Sequence, residues 1–138
     1  MKLFVDTSAW VALSAKNDKY HRPASTAFAG LKRTRFQLVT TDYILDESLT
    51  HLLTHYGHHR AIAFGRWALN SESIQIYRID DTIWDEAWQM FQQYDDKEWA
   101  FTDCTSFMVM QQQQLYQAFT FDRHFGQAGF QLWPVREP

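Results

Sequence analysis

At 138 residues the chain is long enough for one well-buried core and too short for two ordinary domains, so a single domain over residues 1–138 is expected. A hydrophobic fraction of 46%, an aromatic fraction of 17% and few Gly or Pro exclude a disordered or low-complexity polypeptide. A formal net charge of −3 excludes attraction to a polyanion through the average field, so a nucleic-acid role has to rest on local clusters such as Lys16, Lys19 and Arg22, or Lys32, Arg33 and Arg35.

In chain order, Leu3-Phe4-Val5 reads as a strand covered on both faces of a parallel sheet, with Asp6 at its C-terminal tip. That acid also interrupts the apolar run a signal peptide would need, and no later stretch approaches the roughly 20 apolar residues of a membrane helix. Cys104, the one cysteine, rules out an internal disulfide or a cysteine zinc cage and reads as a small core residue. A cytoplasmic protein without membrane association is expected. Thr7 or Ser8 should cap a helix through Ala9 to Leu13 that ends by Asn17-Asp18. His21 to Leu31 reads as a second helix, with Ala24, Ala27, Phe28 and Leu31 on one face.

Gln37 to Thr40 is the next expected strand. A helix capped by Thr41 or Asp42 should follow, carrying Ile44, Leu45, Glu47, Ser48, Leu49, Leu52 and Leu53 and ending near Tyr56-Gly57. Another helix is expected from about His59 to Leu69. The alternation in Ile74 to Ile79 predicts a more exposed strand at a sheet edge, and Asp80 or Asp81 should cap a helix through Trp84, Ala87, Trp88 and Phe91. Asp103 is expected just ahead of a helix over Thr105 to Leu115. Gln117 to Phe121 is expected as a strand ending at Asp122, and Gln131-Leu132-Trp133 as the last strand. Strands alternating with helices predict a three-layer α/β/α sandwich with a mainly parallel central sheet.

In open α/β sheets the binding crevice lies beyond the C-terminal strand ends, where strand order reverses. Asp6 and Asp122 fall on that edge, and Glu47 and Asp103 reach it from the starts of helices. Two unit charges about 4 Å apart repel by about 4 kcal/mol at an effective dielectric near 20, so converging acids require protons or cations. Oxygen-only ligation selects hard ions, Mg²⁺ or its substitute Mn²⁺, which equip a site for phosphodiester hydrolysis. Each acid also has an ordinary alternative. Asp6, Asp103 and Asp122 could cap helices, and Glu47 could be a solvated helix residue beside Asp46.

Phe4-Val5-Asp6-Thr7-Ser8-Ala9, Thr40 to Glu47, Phe101-Thr102-Asp103-Cys104 and Thr120 to Phe125 together resemble the acidic motifs of PIN-domain nucleases. More narrowly, the chain resembles the VapC toxin ribonucleases of bacterial and archaeal toxin–antitoxin pairs, from Leu3 to about Trp133. The resemblance implies a Mg²⁺-dependent endoribonuclease. Asp6 and Asp103 would be its principal metal ligands, Glu47 would hold cation-bound water or a second ion, Asp122 would complete the cluster, and Thr7 and Ser8 would hydrogen-bond within the site. It also implies an RNA substrate, a homodimer and a cognate antitoxin whose tail enters the acidic groove.

Rival readings remain at this stage. Glu47, His51 and His55 share one helix face at four-residue spacing, which suggests a zinc site, although the third ligand is unspecified and no glutamate intervenes as in His-Glu-x-x-His. A phosphoaspartate phosphatase would need a second acid at the position of Ser8. From a different class, a PIN-like module could bind RNA or a protein without cutting. His124 beside Arg123 is either a substrate contact or a structural histidine.

Overall fold

The computed structural model describes residues 1–135, in the element order β1 (Lys2–Val5), α1 (Thr7–Ser14), α2 (His21–Leu31), β2 (Gln37–Thr41), α3 (Asp42–Tyr56), α4 (His58–Asn70), β3 (Ile74–Tyr77), α5 (Asp81–Gln93), α6 (Phe101–Gln112), β4 (Gln117–Phe119), α7 (His124–Gln127) and β5 (Gln131–Trp133). All five strands are parallel, in the order β3-β2-β1-β4-β5. The apolar run of β1 is fully buried at its centre, as a middle strand covered on both faces must be. β3 lies at an edge, as its alternation predicted.

The chain moves outward from β1 through β2 to β3, then crosses back to β4 on the other side of β1. Right-handed crossovers therefore place α1 to α4 on one face and α5 to α7 on the other. Packing agrees: α1 meets α2 and α3, α3 meets α4, and α6 meets α5 and α7. This is the expected three-layer sandwich. Strand order reverses between β1 and β4, and the register pairs Val5 with Phe119, so the next residues of both strands emerge side by side at the C-terminal edge. The backbone N–H of Asp6 still donates to the carbonyl of Phe119, at 3.2 Å.

Several bonds fix the edge from below. The indole N–H of Trp10 donates to Thr40 Oγ1 (3.2 Å), and that hydroxyl donates to the carbonyl of Val5 (3.1 Å), tying α1 and β2 to the tip of β1. Trp10 itself is buried against Phe64 and Trp67 of α4. α3 starts with the Thr41 hydroxyl accepting from the N–H of Ile44, and α5 with Asp80 accepting from Ile83. Gly57 alone separates α3 from α4, with φ of 99° that a residue with a side chain rarely adopts.

β3 ends at Tyr77 and α6 at Gln112, short of the expected Ile79 and Leu115, and three departures fall at the cleft edge. α1 is capped by Asp6, whose Oδ1 accepts from Ala9 N–H at 3.3 Å, and not by Thr7 or Ser8. α6 begins at Phe101, which puts Asp103 inside its first turn and not ahead of it. The Asp103 carboxylate replaces a capping side chain by accepting from the N–H of Ala100 at 3.0 Å. β4 ends at Phe119 and not at Phe121; the N–H of Thr120 still donates to the carbonyl of Trp133 at 3.3 Å, while its hydroxyl donates to Asp6.

Candidate active site

The C-terminal edge opens into a cleft of about 500 Å³ whose walls include Asp6, Thr7, Ser8, Glu47, Asp103, Asp122 and His124. All four sequence-nominated acids therefore face one cavity. They arrive from the end of β1, the loop after β4, the second turn of α3 and the first turn of α6, the geometry a topological switch point provides.

Asp6 lies deepest, only 4% exposed. Ser8 Oγ donates to its Oδ1 at 2.7 Å and Thr120 Oγ1 donates to its Oδ2 at 2.8 Å. A hydroxyl carries one proton, so both are committed to this carboxylate, and both of its oxygens act as acceptors. Those bonds favour the charged form, yet burial outweighs them, with a further push from the charge of Asp122, and the carboxyl is pushed up to about 7. Ser8 also accepts from the N–H of Phe121 at 2.9 Å, and Thr120 accepts from the N–H of Asp122 at 2.9 Å. The same two hydroxyls thus position Asp6 and the loop that carries Asp122.

Asp103 is half-buried. Burial raises its carboxyl to about 6; the Ala100 N–H and His124 oppose the shift, while Asp122 and Glu47 add to it. Asp122 Oδ1 accepts from the backbone N–H of His124 at 2.9 Å. The His124 ring completes a tight group, with Nδ1 lying 3.1 Å from Asp122 Oδ1 and 3.3 Å from Asp103 Oδ2. That nitrogen is shielded from solvent, and neither carboxylate is aligned with it as a hydrogen-bond partner. Asp103, Asp122 and His124 offer ligand atoms all within 4.8 Å of one another, the spacing of a metal-binding group.

Glu47 is more exposed. Thr7 donates its hydroxyl proton to Glu47 Oε1 and accepts from Ser48 Oγ at 3.3 Å, which joins the first turn of α1 to the second turn of α3. Glu47 and Asp6 line the cleft without entering the tightest group. On the next turns of α3, His51 and His55 stack with ring centroids 4.2 Å apart, and His55 Nδ1 donates to the carbonyl of His51 at 3.2 Å. Among the described residues, the acid and histidine side chains that gather three ligand atoms are those of the cleft and not this pair, so the zinc reading loses its third ligand.

Two members of the site carry little signal in the sequence. Thr120 reads as one polar residue between two phenylalanines in an expected strand, and only the pairing of β4 with β1 brings it to Asp6. His124 was open between a structural and a binding role, and its position two residues beyond Asp122 was the available clue.

The PIN-domain family model matches residues 3–131. The chain belongs to the PIN-domain family. It is 32% identical over 128 residues to the 23S rRNA-specific endonuclease VapC20 of Mycobacterium tuberculosis, a match covering 93% of this chain and 95% of that one. The crystal structure of M. tuberculosis VapC20, described as a sarcin-ricin loop cleaving toxin, superposes with a TM-score of 0.86 at 31% identity, over 93% of this chain and 95% of that one. VapBC2 of Rickettsia felis, solved with a promoter DNA fragment, shares the fold with a TM-score of 0.65 at 11% identity, covering 96% of this chain and 97% of that one. In this PIN domain the residues nominated from sequence thus line one cleft, and Asp103 and Asp122 form its tightest group together with His124.

Proposed function

We propose that this PIN domain is a Mg²⁺-dependent endoribonuclease, the toxin of a toxin–antitoxin pair, acting in the cytoplasm on structured RNA. The observation that carries the reading is the buried carboxylate of Asp6 accepting from two hydroxyls beside the Asp103–Asp122–His124 group. Protonation would satisfy the burial of these acids but would require Asp6 to turn a hydrogen toward a hydroxyl that already donates to it. A divalent cation satisfies burial, like-charge repulsion and the acceptor geometry together, and two carboxylates with one imidazole fit Mg²⁺ or its substitute Mn²⁺. When bound, such an ion neutralises the acids and polarises a phosphoryl group for attack by water.

The residues of the chain supply the rest. Asp103 and Asp122 would hold the ion directly, with Asp6 below them. Ser8 and Thr120 fix both oxygens of Asp6, and Thr7 fixes Glu47, whose charge reaches Asp103 and which can orient the attacking water and take its proton. Positioning of this kind supplies most of the acceleration in phosphodiester hydrolysis. The sarcin-ricin loop of 23S rRNA, for which the M. tuberculosis relative is described, is the first substrate to test. An antitoxin partner and a homodimer belong to the same reading. Exposed Leu53, Ile62 and Leu69 on α3 and α4, and Trp84, Trp88 and Phe91 on α5, offer apolar surface for such contacts.

The test is cleavage of a sarcin-ricin stem-loop and of total RNA in Mg²⁺, in chelator, and by Asp6→Asn and Asp103→Asn proteins. Cleavage confined to wild type with Mg²⁺ is expected. Equal cleavage by wild type and both variants would sink the site assignment, and no cleavage of any RNA would leave a binding module.

A further inference from the structure

The cleft is lined by six carboxylates, those of Asp6, Asp18, Glu47, Glu98, Asp103 and Asp122, so a phosphodiester strand entering it meets mostly acidic walls. Lys19 is the one lysine or arginine on its described wall. Its ammonium sits over the ring of Tyr20, 4.9 Å from the centroid, and makes no ion pair among the described residues.

The support beneath it is built rather than incidental. The Tyr20 ring stacks on Phe121, with centroids 4.6 Å apart and planes within 7°. Phe121 lies between Thr120 and Asp122, and its N–H is held by Ser8. From the other direction Asp18 accepts from the N–H of Tyr20 at 3.0 Å through Oδ2 and from the hydroxyl of Tyr56 at 3.1 Å through Oδ1, pinning the α1–α2 loop to α3. The Asp18 carboxylate is thereby occupied with backbone and phenol, and the adjacent lysine is left to the cleft. A cation on an aromatic ring keeps its charge for an outside anion while losing much of its freedom to wander.

We propose that Lys19, carried on the Tyr20–Phe121 stack, grips a phosphate oxygen of the RNA strand lying in the cleft and so holds that strand in a site otherwise walled by acids. The inference rests on the nuclease reading and deepens it. One stack couples Lys19 to the loop of Asp122, so phosphate grip and acid placement move as a unit.

The test compares wild type, Lys19→Ala, Lys19→Arg, Tyr20→Ala and Tyr20→Phe by the salt dependence of KM for a sarcin-ricin stem-loop RNA. Binding of the same labelled RNA is measured in an Asp6→Asn background in chelator, where cleavage is suppressed twice over. Lys19→Ala is expected to raise KM roughly tenfold with kcat and melting temperature unchanged, and to reduce the slope of log affinity against log salt by about 0.7, the loss of one single-strand phosphate contact. Lys19→Arg and Tyr20→Phe should keep wild-type values, whereas Tyr20→Ala should share the raised KM and reduced salt slope of Lys19→Ala and, by unseating the Asp122 loop, lose kcat and melting temperature as well. An unchanged KM and salt slope in Lys19→Ala overturns the inference while leaving a cleaving wild type, and hence the nuclease reading, intact. If wild type does not cleave but Lys19→Ala weakens binding with the reduced slope, the nuclease reading fails and the phosphate contact stands. Absence of both cleavage and binding overturns the two together.

Discussion

The hydroxyls of Ser8 and Thr120, 112 residues apart in sequence, stand 3.3 Å from each other and donate to different oxygens of the same carboxylate, that of Asp6. Each also accepts a backbone N–H from the loop beyond β4. Thr120→Val keeps the shape and removes the proton. The variant should lose about 1–3 kcal/mol of stability in urea unfolding, because a buried acceptor is left unmatched. The acidic limb of its cleavage pH profile should also move to higher pH, because Asp6 loses a bond that favours its charged form. An unchanged profile would mean that Asp6 does not titrate in the working enzyme.

Stability without metal should fall as pH rises. An aspartate in the unfolded chain titrates near 3.9, whereas burial lifts Asp6 to about 7 and Asp103 to about 6. Between those limits the folded chain holds protons that the unfolded chain has released, so by linkage the unfolding free energy decreases with pH from about 4 to about 7 and levels off above. Melting scans in chelator at pH 5, 6, 7 and 8 should show this decline from these two groups. Added Mg²⁺ should leave the pH 5 value nearly unmoved and raise the pH 8 value, since the ion competes with protons for the same oxygens.

Asp6→Asn should therefore separate stability from activity. Removing the buried charge raises the melting temperature in chelator at pH 8, while cleavage falls by roughly 100-fold or more through loss of a group that organises the ion. A variant less stable than wild type under those conditions would show that the carboxylate is not a burden on the metal-free fold.

His124→Ala tests the unaligned imidazole. Removal of the ring should weaken divalent-cation binding, read by isothermal titration, on the order of 10-fold or more, with Mn²⁺ affected more than Mg²⁺ because a ring nitrogen suits the softer ion. Equal affinity in the variant would reduce His124 to a spacer between Asp103 and Asp122.

His51→Ala with His55→Ala should leave zinc content unchanged when both proteins are purified in parallel and measured by elemental analysis. Their stacked rings share one helix face but bring no third ligand into reach among the described residues.

Much of the architecture was legible because it depends on local pattern. The apolar run of β1 implied a central parallel strand, and polar residues directly after strands implied the cleft edge. Competition between neighbours was harder to read. Asp6, Thr7 and Ser8 are all good caps, and only the fold shows that Asp6 takes the cap while Thr7 turns to Glu47 and Ser8 turns back to Asp6. The start of α6 was misplaced because Ala100 offers no capping side chain, and the acid that closes the turn sits three residues later. Thr120 was invisible because its partner is at the other end of the chain.

The crossing from β3 back to β4 has a consequence during synthesis. Ser8 is made 112 residues ahead of Thr120, which follows the strand ending at Phe119. Until that segment has been added, β1 lacks one of its two neighbours and the acidic cleft lacks a wall. A nascent chain that has not yet reached β4 therefore cannot assemble the cleft, however much of the β1-β2-β3 half has formed.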